Sequence, residues 1–318
     1  MPGPFRDATA FGPWWRTLLL FLLGTFWGLQ FTLLKIAEGS SLSELGILTL
    51  CMLLLSAAYL GALCARRRWF RPTLAQARFF SVSAFFGYVV PFGAVILVAK
   101  HFAAGLIVLY TEALIPVCTV AIALLLRTEA LSRQRLLAVA IALLGVAVAL
   151  WPELAVGGGA GGTGLLLLLA IPLSYAIDGI YVAARWPRGL RPFQVVTGEA
   201  VAGALMLLPL WLLLEGWPEL PAAMGPAEWA ILAFVLISYL EVYIYFHLLR
   251  TAGAVFVSFG SFVSLFAGFF WGGLLLDETP RSSVWLAVGL VCLALYLISL
   301  EGRTQAEPPC TPDTPPTD

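Results

Sequence analysis

The chain has 318 residues, of which 61% are hydrophobic and 11% charged, and its mean hydropathy is +0.94. An ordinary soluble domain is about 25% charged, so there is too little polar material here to coat a water-facing globule. A soluble enzyme, a disordered chain and a nucleic-acid binder are excluded. Eighteen basic and eighteen acidic residues cancel, which leaves no net field to steer polyanions, and the positions of the charges carry the information.

Crossing about 30 Å of hydrocarbon takes roughly 20 mainly apolar residues. Ten runs of about that length follow one another: Thr17 to Ile36, Leu45 to Cys64, Phe79 to Ala99, Ala103 to Leu126, Leu136 to Leu150, Gly164 to Trp186, Phe193 to Leu214, Trp229 to Leu249, Ala254 to Leu276 and Ser283 to Leu300. Helix breakers separate them: Gly39-Ser40-Ser41, Arg71-Pro72-Thr73, a glycine-rich stretch from Gly157 to Gly162, Trp186-Pro187-Arg188-Gly189, Gly216-Trp217-Pro218 and Thr279-Pro280. The first run is too long for a signal-peptide core and no Ala-x-Ala-like site follows Lys35, so it reads as a retained span. The expected fold is an all-α membrane protein of ten transmembrane helices. A cytoplasmic segment covers 1–16, five helices 17–150, a Gly-rich linker 151–163, five more helices 164–300, and a tail rich in Pro, Thr and acid, read as disordered, 301–318.

Arginine and lysine alternate between the two sides of this plan. One side receives Arg6, Arg16, Arg66, Arg67, Arg68, Arg71, Arg78, Arg127, Arg133, Arg135, Arg185, Arg188, Arg191, Arg250 and Arg303, fifteen of the eighteen. The other receives Lys100 and Arg281, with Lys35 at the outer end of the first span. By the positive-inside rule both termini are cytoplasmic, and a wrong helix count would have scrambled the alternation. Cys51, Cys64, Cys118, Cys292 and Cys310 are scattered without metal-like spacing, and His101 and His247 are far apart. Neither a metal site nor a cofactor is implied.

A shift of 149 residues lays Glu129 on Glu278, Ala138-Val139 on Ala287-Val288 and Leu143 on Cys292, while Ala104-Gly105 falls on Ala252-Gly253 with a slip of one. Each half has five helices. Five is odd, so the second copy enters the membrane upside down, a construction that secondary transporters use around a site near the midplane.

These stretches also carry a family resemblance. In the first copy they are Trp27-Gly28 with Lys35, Ala103-Ala104-Gly105 through Pro116, and Arg127-Thr128-Glu129-Ala130-Leu131-Ser132 leading into Gly145. In the second copy they are Arg250-Thr251-Ala252-Gly253-Ala254 and Leu274-Leu275-Leu276-Asp277-Glu278. Over residues 15 to 300 the chain resembles a ten-helix, EamA-type member of the drug/metabolite transporter superfamily. The resemblance implies a proton- or gradient-linked exporter of amino acids and other small metabolites across the bacterial inner membrane. Two departures stand out: Tyr175 falls where the counterpart of Trp27 belongs, and Gly260 to Ser264 lacks a proline matching Pro116.

Four acids interrupt the apolar runs: Glu112, Asp178, Glu199 and Glu241. A charged carboxylate at a helix centre costs about 2.5–3.5 kcal/mol on the lenient scale. Glu112, Asp178 and Glu241 lie near their helix centres and must be protonated, paired or facing a water-filled cavity. They are the candidates for proton or cation coupling; the other reading is a structural acid satisfied by Ser, Tyr or backbone. Glu199, nearer the cytoplasmic end, reads as structural. Lys35, His247 and flanking arginines are the only bases in reach, so the interior is net acidic.

Aromatic residues form a second constellation near the midplane: Trp27, Phe86, Tyr88, Tyr110, Tyr175, Tyr239, Tyr243 and Trp271. A small-molecule cavity is commonly apolar and aromatic with a few placed polar groups. The substrate-binding candidates are Trp27, Gln30, Tyr88, Tyr110, Tyr175, Ser238 and Tyr245. Ser238, Glu241 and Tyr245, at i, i+3 and i+7, share one helix face. Such aromatics also serve plain packing, and Trp27 is singled out because its motif and position agree.

Pro91, Pro116, Pro172 and Pro209 each remove a backbone hydrogen bond. Pro116, one turn after Glu112, is the gating candidate. Gly260, Ser264, Gly268 and Gly272 form a small-residue stripe for close helix packing within the bundle, or along a homodimer seam. Arg66-Arg67-Arg68 reads as a topology anchor that touches anionic lipid, and Glu129 and Glu278 as helix-end caps or ion pairs.

The expected function is secondary active transport by alternating access, with no enzymatic activity. The partners are a small-molecule substrate and the lipid bilayer. A polytopic enzyme would need a nucleophile with its base, a metal set or paired acids at the surface, and no such motif occurs. A channel or scaffold is the second rival, and a sugar-phosphate or nucleotide-type exchanger the third, though an anion carrier would offer bases deep inside.

Overall fold

The computed structural model of the protein describes residues 13–67, 69–125, 133–155, 161–216, 223–251, 256–257 and 259–306. Among these, all the long elements are helices: α1 (Pro13–Ala37), α2 (Glu44–Ala65), α3 (Leu74–Ala99), α4 (Ala104–Leu125), α5 (Arg133–Ala155), α6 (Gly161–Arg185), α7 (Pro192–Glu215), α8 (Pro226–Thr251), α9 (Gly260–Leu276) and α10 (Ser282–Ala306). By length and composition, α1, α2, α3, α4, α6, α7 and α8 carry the seven stretches fit to cross a membrane. The apolar parts of α5, α9 and α10 are shorter, Leu136–Ala149, Gly260–Leu276 and Ser282–Leu297. Helix α10 runs to Ala306, into the expected tail. Helices α5 and α6 extend into the expected linker, because Trp151 and Leu154 prolong the apolar run and Pro152 alone does not end it. Arg127 to Ser132, Ala252 to Ala254 and Cys310 lie outside the described residues.

The breakers act through identifiable chemistry. Before α2, the Ser43 hydroxyl accepts the Gly46 N–H at 3.0 Å, and Glu44 places negative charge in the first turn. Before α3, Thr73 and Gln76 cap each other's backbone N–H groups reciprocally, at 3.3 and 3.0 Å. Pro192 opens α7 at a position where a missing N–H costs nothing. Helix α2 ends at Arg66, and Arg67 turns the chain away in the left-handed region (φ 50°).

Helix α3 contains one turn of π-helix, Phe85–Val89, and Pro91 explains its position. In π register residue 91 would donate to the carbonyl five residues back, at Phe86, and proline has no N–H. The Ser174 hydroxyl of α6 takes its place, donating to the Phe86 carbonyl at 2.6 Å. A backbone acceptor that hydrocarbon could not satisfy is thereby paired inside the protein.

Helix α1 lies along α9 and α8, and α6 along α4 and α3; α2 pairs with α7 and α5 with α10. Helix α1 approaches α9 backbone to backbone. A Cβ at Gly28 would lie 2.6 Å from the Gly268 nitrogen and the Ser264 carbonyl oxygen, and one at Gly24 2.6 Å from the Gly260 carbonyl oxygen. The stripe of Gly260, Ser264 and Gly268 therefore faces a neighbouring helix of the same chain, with Gly268 also against Val108 of α4. Contacts also sort the helix ends. Arg66 at the end of α2 meets Phe193 and Tyr243, Phe79 near the start of α3 stacks on Tyr181 near the end of α6, and Gln134 at the start of α5 reaches Leu297 of α10. Arg78, Arg133, Arg185 and Arg191 belong to these same ends. Lys35, Lys100 and Arg281 belong to the opposite end, where Lys35 meets Glu278 and Phe102.

Gly28→Ala forces backbone against backbone, which no rotamer change relieves. It is expected to lower stability by about 1–3 kcal/mol, read as a reduced Tm of the detergent-purified protein. Gly61→Ala on α2, where an added Cβ meets nothing within 4 Å, is expected to shift stability by less than about 1 kcal/mol.

Candidate functional site

The four acids of the apolar runs come from α4, α6, α7 and α8, and each looks across the seam between residues before 156 and residues after 160. Gln30 of α1 donates its amide to Glu241 Oε2 at 2.9 Å and to Ser238 Oγ at 3.1 Å. Ser83 of α3 is 2.7 Å from Asp178 Oδ1 and 2.9 Å from Glu199 Oε1. Glu112 of α4 faces Ser261 and Ser264 of α9. Glu112 and Glu199 are 8% and 6% exposed. Among the described residues the ion pairs are Lys35–Glu278 and Lys100–Glu44, so none of the four has a lysine or arginine as counter-ion. Their partners are hydroxyls and an amide.

Two tyrosines tie the acids into one interior. Tyr88, in the π turn of α3, lies within electrostatic reach of Glu199, Glu241 and Asp178, and Tyr175 of α6 within reach of Glu241, Glu112 and Asp178. The π turn also sets the approach of Asp178: a Cβ at Gly87 would lie 2.8 Å from its Oδ2, so only glycine lets the carboxyl come this close. The Ser83 hydroxyl has a single hydrogen but two carboxyl oxygens within bonding distance. Both contacts are satisfied together only when one of the two carboxyls is protonated and donates to Ser83 Oγ. The arrangement can therefore hold a proton and pass it between α6 and α7 through a group on α3.

The remaining sequence candidates divide by depth. The i, i+3, i+7 face of α8 meets α1 throughout: Ser238 and Glu241 at Gln30, and Tyr245 at Trp27 with ring centroids 6.3 Å apart. Trp27 and Tyr245 sit in a separate apolar cluster with Leu20, Leu23, Ile244 and Leu248, one turn along their helices from Gln30 and Glu241. Tyr110 is fully buried in the main core, edge-on to Phe102 at 6.4 Å. Pro116 lies inside α4, where its missing N–H frees the carbonyl of residue 112. The sequence reading sets Glu199 apart, yet Ser83 joins it to Asp178. Ser83, Ser174 and Tyr59 escape that reading, because one hydroxyl in an apolar run carries no periodic signal.

At the arginine-poor end the seam is held by carboxylates. Glu278, just after α9, accepts the N–H of Ala104 at the start of α4 and pairs with Lys35 at 2.7 Å, while Lys35 also donates to the Phe102 carbonyl at 2.6 Å. Glu278 is thus both the helix cap and the ion pair expected of it. Ser40 donates to Glu228, and Ser43 to Glu215.

Comparison with known proteins fits this architecture. Residues 162–300 match the model of the EamA-like transporter family. The chain carries an EamA-type transporter domain. That family belongs to the drug/metabolite transporter superfamily, and the match together with the long apolar helices points to a multi-pass membrane protein of transporter type. A solved crystal structure of a protein is similar over 92% of this chain and 99% of that one, with a TM-score of 0.60 and 20% identity. An identity that low conveys fold alone. No curated protein matches the chain.

Within the EamA-type bundle, Ser83 separates two buried carboxyls. Ser83→Ala leaves both without that hydroxyl, at an expected cost of about 1–3 kcal/mol. Ser83→Thr, which keeps the oxygen, is expected to retain most of the wild-type Tm. Thermal unfolding of the two variants in detergent checks the pair.

Proposed function

We propose that this chain is a secondary carrier that exports small metabolites, such as amino acids or related compounds, across the bacterial inner membrane by alternating access coupled to protons. Ten helices form two inverted five-helix repeats, 17–150 and 164–300, with both termini in the cytoplasm, and the substrate sits between the repeats near the midplane. The neighbour relations support the repeat: exchanging each helix with the one five places on turns α1 on α9 and α8 into α6 on α4 and α3, and returns α2 on α7 and α5 on α10 to themselves. The polar bridges follow the same exchange, since Gln30 on α1 reaches α8 and Asp178 on α6 reaches α3. The grouping of arginine-bearing helix ends supports the orientation.

The observation that carries the reading is that the four acids face polar groups across the seam between the repeats, Gln30, Ser83 and the serines of α9, and that those groups are neutral. An acid bonded to a hydroxyl or an amide can take up or release a proton as the repeats part. An acid locked to an arginine cannot do so without stranding a buried charge. The absence of a lysine or arginine beside these acids, among the described residues, also disfavours a phosphorylated or nucleotide substrate.

Proteoliposomes loaded with amino acids and an imposed pH gradient test the reading. Glu112→Gln, Asp178→Asn and Glu241→Gln are each expected to lower gradient-driven flux about tenfold or more, equivalent to about 1.4 kcal/mol or more on the rate-limiting barrier. Wild-type flux in all three variants would overturn the proposal.

A further inference from the structure

The arginine-rich end of the seam is closed by rings rather than by carboxylates. Tyr59 of α2, Phe193 of α7, and Tyr239 and Tyr243 of α8 form a closed circuit: centroids are 5.4 Å apart for Tyr59–Phe193, 5.1 Å for Phe193–Tyr243, 5.3 Å for Tyr243–Tyr239 and 5.6 Å for Tyr239–Tyr59. Tyr59 and Tyr239 lie deeper, one to two helical turns further from that end, and the Tyr59 hydroxyl is spent on the Ser238 carbonyl at 3.0 Å. Tyr243 and Phe193 form the outer pair. Over them sits a cation: Arg66 Cζ is 4.9 Å from the Tyr243 centroid and 5.5 Å from that of Phe193, within the roughly 6 Å at which a guanidinium is held by ring quadrupoles.

Two further facts distinguish this contact from a chance surface stack. Arg66 is fixed at the end of α2 by its own N–H on the Ala62 carbonyl, and the next residue turns off in the left-handed region, which non-glycine residues seldom adopt. Beneath the rings lie acidic side chains, with Glu241 and Glu199 within electrostatic reach of Tyr59. A cation that leaves the outer rings inward moves towards buried acids with no cationic partner among the described residues.

We propose that these four rings are a vestibule for an organic cation of guanidinium or alkylammonium type, and that Arg66 occupies it as a tethered competitor which the ligand displaces. The proposal rests on the carrier reading for what lies beyond the vestibule and names the substrate class that would enter it. Displacement costs nothing in net charge, because one cation replaces another on the same ring faces. Once released, the Arg66 guanidinium turns to water, where it is already exposed.

Calorimetric titration of the detergent-purified full chain with n-butylguanidinium and its neutral isostere n-butylurea tests the assignment. Wild type is expected to prefer the guanidinium. Arg66→Ala is expected to tighten guanidinium binding about threefold to fivefold by removing an exposed-site cation–π competitor, and to leave the urea within twofold. Tyr243→Phe, which keeps the ring, is expected to retain the preference, and Tyr243→Leu to lose it. Equal binding of the two probes by wild type, or guanidinium binding that Arg66→Ala leaves unchanged or weakens, would overturn the vestibule. Flux assays separate this from the carrier reading: gradient-driven transport without guanidinium preference sinks the vestibule alone, and guanidinium preference without transport sinks the carrier alone.

Discussion

A polar group inside hydrocarbon has no water to turn to, so its partner must be supplied by the protein. In this chain the partner of each buried acid lies on the other side of the seam between its two halves, and that constraint governs the rest of the interior. Gln30 supplies that partner to Glu241, and Ser83 to Asp178 and Glu199, while Glu112 faces Ser261. Side-chain hydrogen bonds between membrane helices average only about 0.6 kcal/mol. A seam built from them holds register and still opens, whereas buried ion pairs in the same places would weld it.

Irregular backbone collects beside these acids. Pro91 opens the π turn whose Gly87 admits Asp178, and the carbonyl it strands is taken by Ser174 of the helix that carries Asp178. Pro116 strands the carbonyl of Glu112 itself. In both cases a helix loses an internal bond within a turn of a buried carboxyl, so the places where the backbone bends most cheaply are also where proton occupancy changes the local balance. Under the proposed rocking mechanism, bending and protonation would act on the same few residues.

Much of this was legible in the sequence because it is periodic or additive. Helix positions follow from apolar runs and breakers, the grouping of helix ends from the arginines, the α1-facing stripe of α8 from the spacing of Ser238, Glu241 and Tyr245, and the cap and ion pair of Glu278 from its place at a helix end. Pairings between distant helices were not legible. Gly28 touches Gly268, and Gln30 touches Glu241, across more than two hundred residues, and no local pattern encodes which apolar face meets which. Ser83 shows the limit most clearly: like Ser81 in the same run of Phe, Val and Ala it reads as a small packing residue, and only the approach of α6 and α7 makes it the link between two carboxyls. Glu199, read as structural from its depth along α7, is drawn into that link for the same reason.

The two ends of the seam are closed by different physics, and the difference has a direction. At the arginine-poor end Lys35–Glu278, Ser40–Glu228 and Ser43–Glu215 are charged or charge-assisted contacts between the halves, with Glu278 also capping α4. These contacts are directional and shorter than 3 Å, and separating the halves there breaks them together. At the arginine-rich end the Gln134 amide donates to the Leu297 carbonyl at 2.8 Å, and the halves otherwise meet through Arg66 on two rings and through ring edges. Such contacts tolerate sliding, since ring pairs keep much of their attraction over centroid separations of about 4.5–7 Å. A bundle fastened rigidly at one end and softly at the other hinges at the rigid end. The arginine-poor side is therefore the more firmly fastened of the two.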